Sequence, residues 1–184
     1  MTGKTHIVGG LALATAATSL AGLYQPHSVK EAATWTAMFL VPAVAGSLAP
    51  DIDHGNSKAS NVNLFTKLLS IFLRITCGHR GVIHSPVFMA IAGMALYLVL
   101  TALDSPHAME ITAGFVTGYF SHLVIDMTNK TGIPLLFPFL WDGPGKPKKF
   151  SILGLREGGV SEFLMWVVLV ALTGVFGYMV WTKM

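Results

Sequence analysis

Ser47-Leu-Ala-Pro-Asp-Ile-Asp-His54 closes a long hydrophobic run with two aspartates and a histidine. Only 11% of the chain is charged, so ionisable groups packed this tightly call for an explanation. Pro50 favours the end of the preceding helix and leaves Asp51 to His54 in an irregular turn. In such a turn Asp51 and Asp53 can share one site, while His54 serves a second ion or supports the first. A helix cap or a polar turn would explain one aspartate, but it explains the whole set poorly.

The composition is that of an integral membrane protein. The 184 residues are 53% hydrophobic with a mean hydropathy of +0.62, whereas a soluble domain is roughly 45–50% apolar and about 25% charged. We expect a single domain covering residues 1–184. The formal charge of +3 gives no indication of direct nucleic acid binding. The single cysteine, Cys77, excludes an internal disulfide and a thiolate cluster for zinc, so nitrogen and oxygen must hold any metal.

Five apolar stretches approach the length of roughly 17–25 residues that a helix needs to span a bilayer. They are Ile7 to Leu23, Ala32 to Ala49, Pro86 to Leu103, Ile111 to Ile125 and Val160 to Trp181. The first lacks a clear small-x-small cleavage site, so we interpret it as a retained helix rather than a signal peptide. The first and fourth are rich in small residues, which predicts inner positions. The fold class predicted is an all-α, polytopic membrane helix bundle.

Two connecting segments have patterns of their own. Leu64 to Ile75 carries apolar residues at helical spacing with Lys67 and Arg74 on the other side, which predicts an interfacial amphipathic helix. Thr131 to Gly159 is rich in Gly, Pro and Lys and is predicted to be a surface loop.

The cations divide unevenly between the two faces that five alternating spans would create. The face that includes the N-terminus would carry Lys4, Lys58, Lys67, Arg74, Arg80, Lys130, Lys146, Lys148, Lys149 and Arg156, and the other face only Lys30 and Lys183. By the positive-inside rule, the N-terminal face is cytoplasmic. The candidate site residues fall on this same face, although only Lys and Arg were used to assign it.

His122 and Asp126 are four residues apart on a predicted helix, so one helix face presents both side chains. They can share a metal ion. The alternative is a buried hydrogen-bonded pair at a helix contact. Ionisable residues within a membrane span are costly and usually functional, which favours the metal.

His79 and His84 flank a short turn before the third span and can face one centre. Arg80 suits a phosphate or carboxylate group, with contact to a lipid headgroup as the alternative. Ser85 followed by Pro86 is typical of a helix N-cap and first helical residue, so a nucleophilic Ser85 is the weaker interpretation.

The predicted metal ligands are Asp51, Asp53, His79, His84, His122 and Asp126, followed by His6. The predicted catalytic residues are Arg80, Asp53 and His54. Imidazole and carboxylate ligands suit zinc first, with manganese or iron(II) as alternatives, and their number suffices for one or two divalent ions. Such an ion can activate water for hydrolysis, and two ions favour phosphoester chemistry.

These motifs resemble those of the YdjM-like family, bacterial inner-membrane-associated proteins described as LexA-binding and as membrane-bound metal-dependent hydrolases. The resemblance covers most of the chain. It rests on Thr5-His6, Ser47 to His54, His79 to Pro86, Gly118 to Asp126 with Asn129, and Pro134-Leu-Leu-Phe-Pro138. Ile83 stands where such proteins often carry Thr. The resemblance implies a multi-pass protein of the bacterial inner membrane and, through the LexA-binding description, a cytoplasmic protein partner.

A fainter similarity links the chain to bacterial zinc-dependent phospholipases C. It rests on the N-terminal histidine and on the Gly-x-x-x-His-x-x-x-Asp pattern of Gly118, His122 and Asp126. This similarity implies a membrane lipid or a lipid-linked phosphate as substrate.

The predicted function is hydrolysis of a lipid phosphoester by a metal-activated water at the cytoplasmic membrane surface, with Arg80 holding the anionic group. The main alternative is a non-enzymatic membrane scaffold or regulator that has a structural metal and binds a cytoplasmic partner. A transporter is the third candidate. The absence of charged residues at mid-span in the second, third and fifth stretches weighs against it.

Overall fold

The computed structural model describes residues 1–21, 26–53, 67, 81–143 and 146–183, without the side chains of residues 21 and 53. Within these ranges the chain is helical and contains isolated β-bridges but no strands, which confirms the all-α prediction. The helices are α1 (Gly3–Ala21), α2 (Val29–Trp35), α3 (Val41–Leu48), α4 (Pro86–Ala102), α5 (Ala108–Met127) and α6 (Val160–Trp181). The predicted interfacial helix lies outside the described residues, apart from Lys67.

The predicted second span is one unbroken helical segment. A π-helical turn (Thr36–Leu40) joins α2 to α3, and the junction residues Thr36 and Val41 keep right-handed helical dihedral angles. A 3₁₀ turn (Pro50–Asp53) follows α3 directly. α3 therefore ends at Leu48, shortly before Pro50 as predicted, and Asp51 lies in a 3₁₀ turn rather than in the irregular turn that was expected.

Glycines allow α3 and α5 to touch along their backbones. A Cβ atom added to Gly118 would lie 1.8 Å from the carbonyl oxygen of Ala43, and one added to Gly46 would lie 2.0 Å from that of Phe115. Packing through small residues is how membrane helices approach closely. The close approach places the end of α3 beside the C-terminal half of α5.

The other helices surround this pair. α1 packs against α3, α5 and α6, and α4 packs against α5. The outer faces of α4 and α6 stay exposed and apolar, with Ile91, Met94 and Leu98 on α4 and with Val168 and Val175 on α6. Such faces suit contact with lipid.

Among the helices of the described ranges, α6 alone is both long and apolar enough to cross a membrane, with 22 residues and a mean hydropathy of 2.2. α4 is apolar but has 17 residues. The predicted first and fourth spans correspond to α1 and α5, which hold many Gly, Ala, Ser and Thr residues. Small residues let inner helices pack closely. They are also less hydrophobic than large aliphatic residues, so they lower the mean hydropathy of these two helices. The number of five spans stays a prediction.

The segment between α5 and α6 is a loop closed by isolated bridges. Asn129 pairs with Leu155, and Ile133 pairs with Phe150. Ile133 is buried in a cluster with Ile83, Tyr119 and Leu123, so the loop packs onto the bundle beside the end of α5.

Candidate metal centre

Glu162 in the first turn of α6 fixes the position of the start of α1 through hydrogen bonds. Its buried carboxylate accepts hydrogen bonds from Thr5 Oγ1 at 2.7 Å, from the Gly158 amide at 2.6 Å and from the Thr2 amide. These bonds hold the first turn of α1, which carries the fully buried His6. The sequence reasoning missed Glu162, although an acidic residue in an apolar helix was a usable signal.

His84 reaches the bundle through a 3₁₀ turn (Val82–His84) in front of α4. The Tyr119 hydroxyl on α5 donates a hydrogen bond to the carbonyl of Ile83, next to His84 in sequence. Ser85 caps α4 and accepts a hydrogen bond from the Phe88 amide at 3.2 Å, which confirms its predicted capping role. His84 is therefore held at the side of α5, fully buried.

His122 is oriented by a main-chain carbonyl. Its Nδ1 lies 2.7 Å from the carbonyl oxygen of Ser47. A carbonyl can only accept, so Nδ1 carries the hydrogen, and Nε2 carries the lone pair whenever the ring is neutral. Nε2 lies 3.5 Å from Asp126 Oδ2 and 3.8 Å from Asp51 Oδ1. Metal-ligating histidines are commonly fixed in this way through their other ring nitrogen.

Asp126 stands at the centre of the cluster. Its Oδ1 is 3.4 Å from His6 Nε2 and 3.2 Å from the Met1 amine, and its Oδ2 is 3.6 Å from His84 Nε2 and 3.5 Å from His122 Nε2. Tetrahedral ligands about 2.0–2.1 Å from zinc lie about 3.3–3.4 Å from one another. The separations of these carboxylate and imidazole atoms are therefore close to those of ligands that share an ion.

The donors form two overlapping groups. The ligand atoms of His6, His122 and Asp126 all lie within 4.8 Å of one another, and so do those of Asp51, His84 and His122. The rings of His6 and His122 are stacked with centroids 3.8 Å apart. His122 belongs to both groups, but its Nε2 lone pair can bind only one ion, so the set can hold one ion, or two neighbouring ions of which His122 binds one.

Most of these ligand atoms are buried, and a bound cation would compensate for the hydrogen bonds that they lack. His6, His84, His122 and Asp126 are fully buried, whereas the side chain of Asp51 is 17% exposed. In the described part of the chain, His6 Nδ1 has no hydrogen-bond partner, and the Nε2 atoms of His6 and His122 contact only Asp126 within hydrogen-bonding distance, at 3.4 Å and 3.5 Å. Buried polar groups normally have such partners, and leaving them without one costs free energy. A divalent ion would accept one lone pair from each of these two rings, so the donor set fits a metal that prefers nitrogen and oxygen.

The structure brings together five of the predicted ligands, namely His6, Asp51, His84, His122 and Asp126. Asp53 follows Asp51 in the 3₁₀ turn, but its side chain lies outside the described residues, as do the whole of His54, His79 and Arg80. The predicted roles of these four residues stay predictions.

Comparisons with known proteins point to the membrane. Over residues 1–184 the chain matches the model of a family described as YdjM inner membrane protein. It is 35% identical over 138 residues to "Uncharacterized protein YvsG" of Bacillus subtilis (strain 168), which covers 75% of this chain and 74% of that protein. It is 37% identical over 107 residues to "Inner membrane protein YdjM" of Escherichia coli (strain K12), or 55% of this chain and 50% of that protein. No solved structure shows significant similarity.

Proposed function

The chain belongs to the YdjM family of inner membrane proteins, and on this premise we propose that it is a metal-dependent hydrolase of a membrane-lipid or lipid-linked phosphoester. The observation that carries the proposal is the set of three histidines and two aspartates, all fully buried except Asp51, whose ligand atoms form two groups within 4.8 Å. In an inner membrane protein, so many buried ionisable groups in one place favour a functional site over a packing role.

A divalent ion held by this set would supply a Lewis acid and an activated water for hydrolysis. The chain's own residues determine how a substrate meets it. Asp51 is the partly exposed member, so it is the candidate ligand that a substrate can reach from outside the bundle. In the proposal Arg80 holds the phosphate, His79 and Asp53 complete the ligands, and His54 supports the site. Zinc is the proposed metal, ahead of manganese and iron(II).

The proposed membrane arrangement follows the cation distribution. We place the N-terminus and the metal centre on the cytoplasmic side of a multi-pass protein. His6 near the start of α1 and Asp126 near the end of α5 then lie at one membrane surface, where a lipid phosphate would be found.

A structural metal in a non-enzymatic scaffold or regulator is the second candidate, with a cytoplasmic protein as partner. The complete burial of His6, His84, His122 and Asp126 favours it, because structural metal sites are closed whereas catalytic sites keep an open position.

The test compares the detergent-purified protein with its Asp126→Asn variant, with exposed Asp142→Asn as the matched control. Metal per chain and phospholipid hydrolysis are measured on the same preparations. We expect the wild type and Asp142→Asn to hold metal and to hydrolyse lipid, and Asp126→Asn to lose both. Hydrolysis unchanged in Asp126→Asn would overturn the proposal. Metal without hydrolysis of any phospholipid or lipid-linked phosphate would favour the scaffold.

A further inference from the structure

An apolar groove runs along the bundle beside the metal centre. It has a volume of about 300 Å³ and lies between α1, α5 and α6. Its walls expose almost no polar surface. They are built from small residues on α1 and larger apolar ones opposite, among them Ala12, Ala16, Phe120, Val124, Leu169 and Leu172.

The groove begins at Gly9, about one helical turn from the candidate ligand His6. On α1, His6, Gly9, Leu13 and Ala16 follow one another at spacings of three or four residues, so the helix face that carries His6 continues as a groove wall. At a rise of 1.5 Å per residue, the wall reaches Ala16 about 15 Å from His6.

The wall of the groove on α5 also begins next to candidate ligands in the sequence. Ser121 and Ile125 line the groove, and each directly precedes a ligand, His122 or Asp126. On α5 the groove residues Ser121 and Ile125 therefore lie at the height of these two candidate ligands, about 100° around the helix from them.

The groove also faces the surface that an inner membrane protein offers to lipid. Phe120 and Val124 on its α5 wall are 48% and 40% exposed, and Leu172 on its α6 wall is 39% exposed. This partial exposure of its lining residues means that the groove is open on one side. A hydrocarbon chain fits such walls, because it brings no polar group that would need a partner.

From these observations we infer that the groove holds one acyl chain of the substrate lipid and sets the lipid's phosphate at the metal centre. The inference rests on the proposed hydrolase function. The chain lies in the groove with its free end near Ala16, and its headgroup end lies near Gly9 and Ile125. Binding energy from the chain, remote from the reacting bond, then positions the phosphoester.

The first experiment needs no catalysis. The protein is placed in nanodiscs with a phosphatidylethanolamine probe that carries a diazirine in mid-chain, and photolabelled residues are mapped by mass spectrometry. We expect label on Leu13, Phe120 and Leu172, displaced by excess unlabelled lipid. Ala16→Leu, which fills the groove, should abolish this labelling. Ala95→Leu, exposed on α4 away from the groove, should leave it unchanged.

Two labelling results would overturn the inference. One is label spread evenly over the outer faces of α4 and α6, without displacement by unlabelled lipid, since this describes ordinary boundary lipid. The other is cross-linking of the groove residues to a second copy of the chain, since the groove would then be a protein interface.

A second experiment tests whether the bound lipid is the substrate. The rate on a long-chain phospholipid, relative to the rate on a short-chain analogue with the same headgroup, should fall in Ala16→Leu and stay constant in Ala95→Leu. A constant ratio in both would overturn the substrate assignment. If saturable labelling appears in a protein that neither binds metal nor hydrolyses lipid, the hydrolase proposal fails while the groove stands as a lipid site. If the protein hydrolyses lipid but its labelling does not saturate, the hydrolase proposal stands and the groove is not a specific lipid site.

Discussion

His122 on α5 donates its Nδ1 hydrogen to the backbone carbonyl of Ser47 on α3 over 2.7 Å, which turns its Nε2 toward Asp51 and Asp126. Because the acceptor belongs to the main chain, the orientation of this ring depends on how closely the two helices pack. The candidate metal centre and the α3–α5 contact should therefore be lost together.

Gly118→Ala tests this dependence. The added methyl group would meet the Ala43 carbonyl, which belongs to backbone and cannot turn aside. We expect the variant to lose about 1–3 kcal/mol of stability or more, as for overpacked cores, and to lose bound metal. Thermal unfolding in detergent and metal per chain are the readouts. Gly174→Ala on α6 is the control, because nothing lies within 4 Å of its added methyl. Equal metal content in the two variants would contradict the dependence.

His6→Ala should reduce metal affinity. As a direct ligand it should matter at least as much as residues behind the ligands, whose loss costs about 10–100-fold in affinity. The measurement is competition with a chelator of known affinity. His27→Ala, exposed before α2, serves as the control. If the two variants bound metal alike, His6 would be no ligand.

Glu162→Ala should loosen the start of α1. The variant loses hydrogen bonds from Thr5 and Gly158 to a carboxylate, and hydrogen bonds to charged groups contribute about 1.5–3 kcal/mol each. We expect a lower unfolding temperature and weaker metal binding, with Glu162→Gln intermediate because one acceptor oxygen remains. Weaker metal binding in Glu162→Ala at unchanged stability would argue instead that the carboxylate acts on the centre itself.

Tyr119→Phe should destabilise the turn that carries His84. It removes the donor to the buried Ile83 carbonyl, and an unsatisfied buried acceptor costs about 1–3 kcal/mol. Tyr178→Phe on the exposed face of α6 is the matched control and should be neutral. Thermal unfolding compares the two. Identical unfolding temperatures would show that the Tyr119 hydroxyl does not hold this turn.

The membrane arrangement can be tested by cysteine labelling. In a Cys77→Ser background, Lys146→Cys should be protected from a membrane-impermeant maleimide in whole cells, and Lys30→Cys should react. Both positions are exposed in the structure, so protection reports the membrane side rather than burial. Reaction of Lys146→Cys in intact cells would place the loop outside and reverse the predicted orientation.

Local sequence patterns predicted many features of this protein's structure. Apolar stretches predicted where the helices lie, and Pro50 and Ser85 predicted where α3 ends and α4 begins, because these preferences act over a few residues. Histidines and aspartates stand out in an apolar chain, so the four-residue spacing of His122 and Asp126, together with the cost of ionisable groups in a membrane span, identified them as candidates. The amphipathic segment, the ligand role of His79 and the catalytic role of His54 stay predictions of this kind.

Only the tertiary structure decided how the candidates combine. The bond from His122 to Ser47 joins residues 75 positions apart, and Glu162 reaches Thr5 across 157 positions. No periodicity or capping rule connects such distant residues, because their contact depends on which helix faces pack. Local patterns therefore selected the donors, whereas the packing of α1, α3 and α5 determined which of them meet, which nitrogen of His122 faces the centre, and that an apolar groove begins beside it.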